Sequence, residues 1–412
     1  MASRIFAIAF TAILAFSPLS GAADPSVAFP RFRTQQVAGD LSIGYAVTVA
    51  DLNGDGKPDI IVVDKHRVIW YENPTWKMRT ILQGKTRPDN VCLAPIDLDG
   101  DGQLELVLGA DWAPFNTKAG GTLHWLKRGP TLDDEWSMHP IGEEPTVHRV
   151  RVADIDGKGK PAIILAPLMG RDSSAKANWM DGRPVRLLAY RIPADPVRGP
   201  WKPEVISDTL HVVHNIWPIA SPSGKGVSFL AASYEGVSEV RRADDGWRTT
   251  RLGEGNQANL KGNRGASEIK QGRLKSGARY IATIEPWHGN QVVVYTEPID
   301  PKGLWVRHVI DEQLRWGHAV WCADLDGDES EELIIGVRDD PNAKDTFKER
   351  RGVRIYTALD EAGSKWARQI VEDGGVAVED AVAADLDGDG KVDLIAVGRQ
   401  TKNLRIYWNQ GK

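Results

Sequence analysis

Four histidines, His148, His214, His288 and His318, stand out because neutral imidazole is a common ligand for a borderline transition metal and a ready proton acceptor at neutral pH. With Glu285 or Glu379 nearby, two or three of them can hold a metal such as zinc and leave a position open for a substrate. Each can equally cap a strand or hydrogen-bond within its own repeat. A second set asks for a harder cation. The phrases DLNGDGKPD, DLDGDGQLE, DLDGDESEE and DLDGDGKVD place carboxylates at alternate positions with glycine between them, which suits a calcium cage of oxygens. The ligand sets read from them are Asp51, Asn53, Asp55 and Asp59; Asp97, Asp99, Asp101 and Glu105; Asp324, Asp326, Asp328 and Glu332; and Asp385, Asp387, Asp389 and Asp393.

A fifth copy, DIDGKGKPA from Asp154, has Lys158 and Ala162 at ligand positions, so its own lysine is expected to stand in for the ion. Apolar runs such as IIVV, LVLG and LIAV follow the acidic phrases. Short β-branched runs on both sides, and no glutamate at the twelfth position, exclude an EF-hand.

The elements that position these residues also repeat. An aromatic followed five residues later by an aliphatic occurs as Trp76/Ile81, Trp136/Ile141, Trp201/Ile206, Trp247/Leu252, Trp305/Ile310 and Trp366/Val371. Phe32/Val37 repeats the spacing without a preceding strand set, and the last repeat lacks this ending. The N-terminal segment therefore supplies the missing outer strand, and the expected fold is an all-β, seven-bladed β-propeller closed by its N-terminal strand. The pattern resembles the FG-GAP or VCBS repeat of integrin-type propellers.

Residues 1–23 read as a cleavable signal peptide and 24–412 as the propeller, because Arg4 precedes an apolar stretch too short to span a bilayer and ending in small residues. A periplasmic or secreted monomer, without membrane attachment after cleavage, is expected. The net charge of −5 with mixed signs gives no basic stripe for nucleic acid. Cys92 and Cys322 read as buried thiols rather than a disulfide.

In such a ring every acidic loop lies on one face. The opposite face collects Asn90, Asp111, Trp112, His148, His214, Glu268, Glu285, Trp287, His288, Trp316, His318, Arg338, Glu379 and Asp380, with Trp217 close by. Indoles beside polar groups suit a sugar ring, and they equally serve as core filler. Trp112, Asp111, Trp287, Glu379 and Arg338 are the expected substrate contacts. Arg149 and Arg151 are expected to pair with Glu268 or Asp380, or to hold an anionic substrate.

The segments DWAPFNTKAGGTLHWLKRG, VHRVRVADIDG, EPWHGNQVVVY and GHAVWCADLDGD resemble the propeller domain of aldos-2-ulose dehydratases. That resemblance implies a metal-assisted lyase that removes a proton beside a sugar ketone and expels a β-hydroxyl as water. It assigns metal binding to His214, His288 and His318, a fourth ligand to Glu285 and the base to His148. The cupin domains that follow the propeller in that family have no counterpart here, so isomerisation carried by them is not expected. The competing reading is a noncatalytic propeller that binds glycans or another exported protein. A polysaccharide lyase would need a basic groove, for which only Arg171, Arg183 and Arg186 speak.

Overall fold

The computed structural model describes residues 27–221, 224, 226–338 and 351–412; the expected signal peptide lies outside them. Seven four-stranded antiparallel sheets follow one another around a ring. Their innermost strands are Gly44–Ala50, Cys92–Ile96, Val147–Ala153, Asn215–Ala220, Ile269–Arg273, Gly317–Ala323 and Val378–Ala384. We number the blades one to seven in that order.

The apolar runs after the acidic phrases become the second strands. Asp59–Asp64, Glu105–Ala110, Ala162–Pro167, Glu332–Val337 and Asp393–Gly398 are buried at every position. A strand with blades packed on both sides has no solvent face, which is why the sequence is continuously apolar there rather than alternating. The repeated aromatic–aliphatic pairs fall in or just before the outermost strands. Ile81, Ile141 and Ile206 are buried in three of them.

Closure follows the expected route. Phe32–Ala38 pairs antiparallel with Leu404–Asn409, completing blade seven with the order outermost strand, third, second, first. Trp408 donates its indole N–H to Gln35 at 2.9 Å and packs 6.1 Å from Trp76 of blade one. Both cysteines are free thiols. Among the described residues no helix is long and apolar enough to cross a membrane.

Each acidic loop joins the first strand of its blade to the second, and the chain enters every first strand from the opposite face. The two groups of chemically active residues are therefore at opposite ends of the ring.

If the N-terminal strand closes the ring, deletion through Ala38 leaves the edge of Leu404–Asn409 unpaired. We expect a melting temperature lower by about 10 °C or more, or insoluble protein. An unchanged melting curve would show that closure contributes nothing.

Candidate functional site

The ring brings side chains to its axis by a local irregularity. In four blades the second residue of the innermost strand is skipped in the pairing with the second strand: Tyr45, His148, His318 and Glu379. Such a bulge re-aims a side chain. Each of the four lies six residues before the first aspartate of its acidic loop. In blades four and five, which lack that loop, His214 and Glu268 occupy the position just before the strand.

Backbone strain accompanies the histidines. Thr146, Val212 and Trp316 adopt φ of 58°, 51° and 62°, each two residues before His148, His214 and His318. His288, between the second and third strands of blade five, itself has φ 52°. Left-handed backbone is costly for β-branched residues, of order 1–3 kcal/mol each, and such strain gathers at functional sites.

His214, His288 and His318 present nitrogens that all lie within 4.8 Å of one another, and all three rings are buried. The Nε2 atoms of His214 and His288 face each other at 2.6 Å. His318 donates its Nδ1–H to the Glu379 carbonyl at 2.5 Å, leaving Nε2 as an unprotonated donor atom in the neutral ring. His214 Nδ1 lies 2.9 Å from Glu268 Oε1. Backbone carbonyl and carboxylate partners of this kind orient metal-ligating histidines. His288 differs, since its Nδ1 faces the Arg338 guanidinium at 3.5 Å.

His148 adjoins this trio without joining it, with its ring 4.7 Å from that of His214 and stacked on Trp112 at 5.5 Å. Both its nitrogens are buried without a partner, as are the indole N–H groups of Trp112, Trp287 and Trp316. Trp287 stacks on His288 at 4.2 Å. The polar atoms left over thus encircle the histidines, and they fit a bound group better than a closed core.

Burial, joined by neighbouring Arg149 and His214, holds His148 well below the usual imidazole range; His288 is likewise held down by burial and His214. Burial takes His318 to about 3 against the pull of Glu379, and it lowers His214 despite Glu268. All four rings are neutral at pH 7, the state in which imidazole binds a metal or accepts a proton.

Glu379 closes the far side. Its carboxylate takes Arg338 at 2.5 Å and Arg399 at 2.7 Å. Burial alone would raise its pKa, but Arg338, His318 and Arg399 bring it to about 2. Arg338 also lies over the Trp316 ring at 5.7 Å.

Other expected residues are placed elsewhere. Glu285 turns away from the histidines, where Tyr295 donates to it at 2.6 Å, Thr283 at 3.0 Å and Arg307 at 2.7 Å. Its oxygens are occupied by that network, so it does not complete the trio. Asp111 is a turn residue with φ 55°. Its carboxylate lies 3.7 Å from Arg87, and the turn presents Trp112. Trp217 lies deeper, 5.3 Å from Trp321 inside the channel. Arg149 pairs with Glu268 at 3.0 Å, as expected. Arg171 and Arg186 both pair with Glu144, which leaves neither for a polysaccharide groove.

Glu268, expected on this face, completes the ring together with Tyr45 and Arg399, which were not expected as site residues. Tyr45 donates to Asp89, and Arg399 lies over its ring at 4.9 Å. The six-residue offset from the acidic loop was the available signal for Tyr45.

On the opposite face, Asp97, Asp99 and Asp101 converge, as do Asp324, Asp326 and Glu332, and Asp385, Asp387 and Asp393. In blade one, Asp51 accepts the N–H groups of Gly54 and Gly56 at 2.7 and 2.8 Å, and Asn53 and Asp55 cap the next turn. Asp328 and Asp389 make the same turn contacts, to Ser330 and Lys391 at 2.8 Å. Blade three is neutralised differently from expectation. Asp156 pairs with Arg191 at 2.8 Å and Arg242 at 2.7 Å, from strands farther out, while Lys158 contributes a backbone N–H to Asp154.

Residues 120–298 match the family described as the β-propeller domain of aldos-2-ulose dehydratase, and residues 51–108 match the FG-GAP-like repeat. The chain resembles a sugar dehydratase's propeller domain. Aldos-2-ulose dehydratase of Phanerodontia chrysosporium is 28% identical over 272 residues, which is 60% of this chain and 29% of that protein. The chain thus spans under a third of the length of that curated relative. The match to the dehydratase domain includes His148, His214, Glu268 and His288 and ends before His318 and Glu379. In fold alone, the chain is similar to a crystal structure of BBS1N in complex with ARL6DN (TM-score 0.54, 13% identity, 93% of this chain and 98% of that one). It is also similar to a chain of the mitotic checkpoint complex (TM-score 0.55, 11% identity, all of both chains).

Replacing Glu379 by Gln leaves one buried guanidinium, Arg338, and one half-buried, Arg399, facing a neutral amide. We expect a loss of about 3 kcal/mol in denaturant unfolding. The wild-type contribution is complete above the ordinary carboxyl value of 4.5 and disappears as pH falls towards 2. The variant's stability should therefore fall less steeply in acid, and superimposable acid limbs would contradict the pairing.

Proposed function

We propose that the protein is a metal-assisted carbon–oxygen lyase that dehydrates a keto-sugar or anhydro-keto-sugar. The observation that carries this reading is the convergence of His214, His288 and His318 beside His148, whose two nitrogens have no partner. The likeness to a sugar dehydratase's propeller domain supports it.

In this reading His214, His288 and His318 hold the metal, zinc by the chemistry of the donors. When bound, it supplies Lewis acidity to a ketone oxygen. His148 takes the proton from the carbon beside the ketone, the electron pair left behind expels the β-hydroxyl, and the protonated His148 returns that proton to it, so that water leaves and the base is regenerated. Glu268 and the Glu379 carbonyl fix the rings of His214 and His318. Trp112, Trp287 and Trp316 offer indole faces and N–H groups to the sugar, and the Arg338 guanidinium lies 3.5 Å from His288.

A second reading, a closed structural metal in a noncatalytic glycan-binding propeller, is favoured by the deep burial of the trio. The two separate by experiment. The His288→Ala, His318→Ala double variant should lose a near-stoichiometric transition metal on elemental analysis in either case. His148→Ala should keep the metal and lose dehydratase turnover on keto-sugars by at least 100-fold. Retained turnover in His148→Ala excludes its role as base. Wild-type protein with bound metal but inert towards every keto-sugar supports the structural reading.

We further propose that the acidic loops of blades one, two, six and seven bind calcium. Three buried carboxylates support it, because burial raises Asp59 and Asp393 to about 6 and Glu332 to about 8. Asp326 Oδ1 is buried without a partner, while its Oδ2 meets Lys412 at 2.8 Å. A carboxyl raised above its unfolded value costs stability as pH rises through the window between the two, here about 4 to 8. In EGTA the melting temperature should fall from pH 5 to pH 8, and calcium should abolish that fall. Identical profiles with and without calcium would contradict the assignment. Export to the periplasm or medium, as a monomer, is part of the same proposal.

A further inference from the structure

Along the channel from the histidines, the inner strands surround a cavity of about 270 Å³ lined by Arg151, Asn215, Trp217, Lys270, Trp321 and Asp380, among others. None of these six groups acts in the proposed lyase chemistry. Lys270 is only 5% exposed, and its ammonium sits 3.9 Å from the centre of the Trp217 ring and 5.0 Å from that of Trp321. The Arg151 guanidinium lies over the same Trp217 ring at 5.5 Å. Two cations therefore share one indole.

Neither has a carboxylate of its own. Arg151 donates only to neutral oxygens, Ile216 O at 3.1 Å, Val150 O at 2.8 Å and Asn215 Oδ1 at 2.7 Å. Lys270 makes no hydrogen bond or ion pair with any described residue. Two acids face this region and act on both cations, although neither makes a hydrogen bond or ion pair with them. Glu268 is taken by Arg149, Asn215 and His214. Asp380 accepts the backbone N–H groups of Val47 and Ala381 at 3.0 Å each.

The electrostatic cost is visible on both cations. Burial and the adjacent Arg151 take Lys270 down to about 7, and burial and Arg149 take Arg151 down to about 10. Cation–π contact offsets only part of the cost of burying a charge that has no ion-pair partner. A counter-charge of small size would supply the remainder.

We propose that this cavity is a second ligand site, in which Lys270 and Arg151 bind one small oxyanion, with Asn215 beside it and the Trp217–Trp321 pair as its apolar wall. Guanidinium and ammonium together match a carboxylate, sulfate or phosphate. The volume equals the liquid share of roughly nine waters, enough for an inorganic oxyanion or a sugar acid of about six carbons. An organic carboxylate would in addition lay its C–H face on an indole; an inorganic ion would not.

The site is independent of the lyase reading, since it uses none of the histidines. Calorimetric titration of wild-type protein with sodium phosphate, sulfate, acetate and gluconate, at fixed ionic strength in sodium chloride, tests it. We expect saturable binding of at least one of the four, weakened tenfold or more in Lys270→Met and in Arg151→Met and kept within about threefold in Lys270→Arg. Preference for gluconate identifies an organic carboxylate, and preference for phosphate or sulfate an inorganic ion. Should the methionine variants fail to fold, the melting temperature of wild type and Lys270→Arg must rise with the favoured oxyanion and reach the same dependence on its concentration. No saturable heat from any of the four, a melting temperature that follows ionic strength alone, or unweakened binding by Lys270→Met would each overturn the proposal.

Discussion

Seven inner strands converging on one axis leave little room for water at their ends, so any polar side chain placed there must be answered by another. That constraint organises the rest of the structure. His318 is answered by the Glu379 carbonyl, Glu379 by Arg338 and Arg399, and Glu268 by Arg149. Where the answer is incomplete, at His148, at the three indole N–H groups and at Lys270, the chain has polar capacity that its own fold does not use. Other unpartnered polar atoms are scattered through the blades, but around the histidines several of them gather in one place.

The blade architecture was legible in the sequence because it rests on patterns of composition. Second strands buried on both faces read as unbroken apolar runs, and outermost strands announce themselves by a tryptophan and an aliphatic five residues on. The closing strand was legible for a subtler reason. One repeat lacked its ending and the N-terminus held that ending without its beginning.

The site was legible in outline and misjudged in detail. The face was deduced from topology, and the four histidines do gather there. Glu285 was misplaced because the sequence cannot show that a residue at the end of a strand turns outward to Tyr295 and Arg307 rather than inward. Tyr45 went unnoticed because a bulge shifts side-chain direction by one position without changing the residue pattern around it. Lys158 was expected to stand in for an ion in the third acidic loop, whereas Asp156 there pairs with Arg191 and Arg242, which lie 33 and 84 positions farther along. Local spacing fixes local geometry, whereas charge compensation is settled by whatever the fold brings near.

Closure by the N-terminal strand also sets an order of events. At a synthesis rate of about 5–20 residues per second, the segment Phe32–Ala38 is made roughly 20 to 75 seconds before its partner Leu404–Asn409. Throughout that interval it is a strand without a sheet, and for most of it Glu379, whose carbonyl accepts from His318, does not yet exist. Until then the blades at the two ends of the growing chain each lack a neighbour, and the centre cannot be completed. The histidine ring becomes competent only when the last blade has met the first residues of the fold.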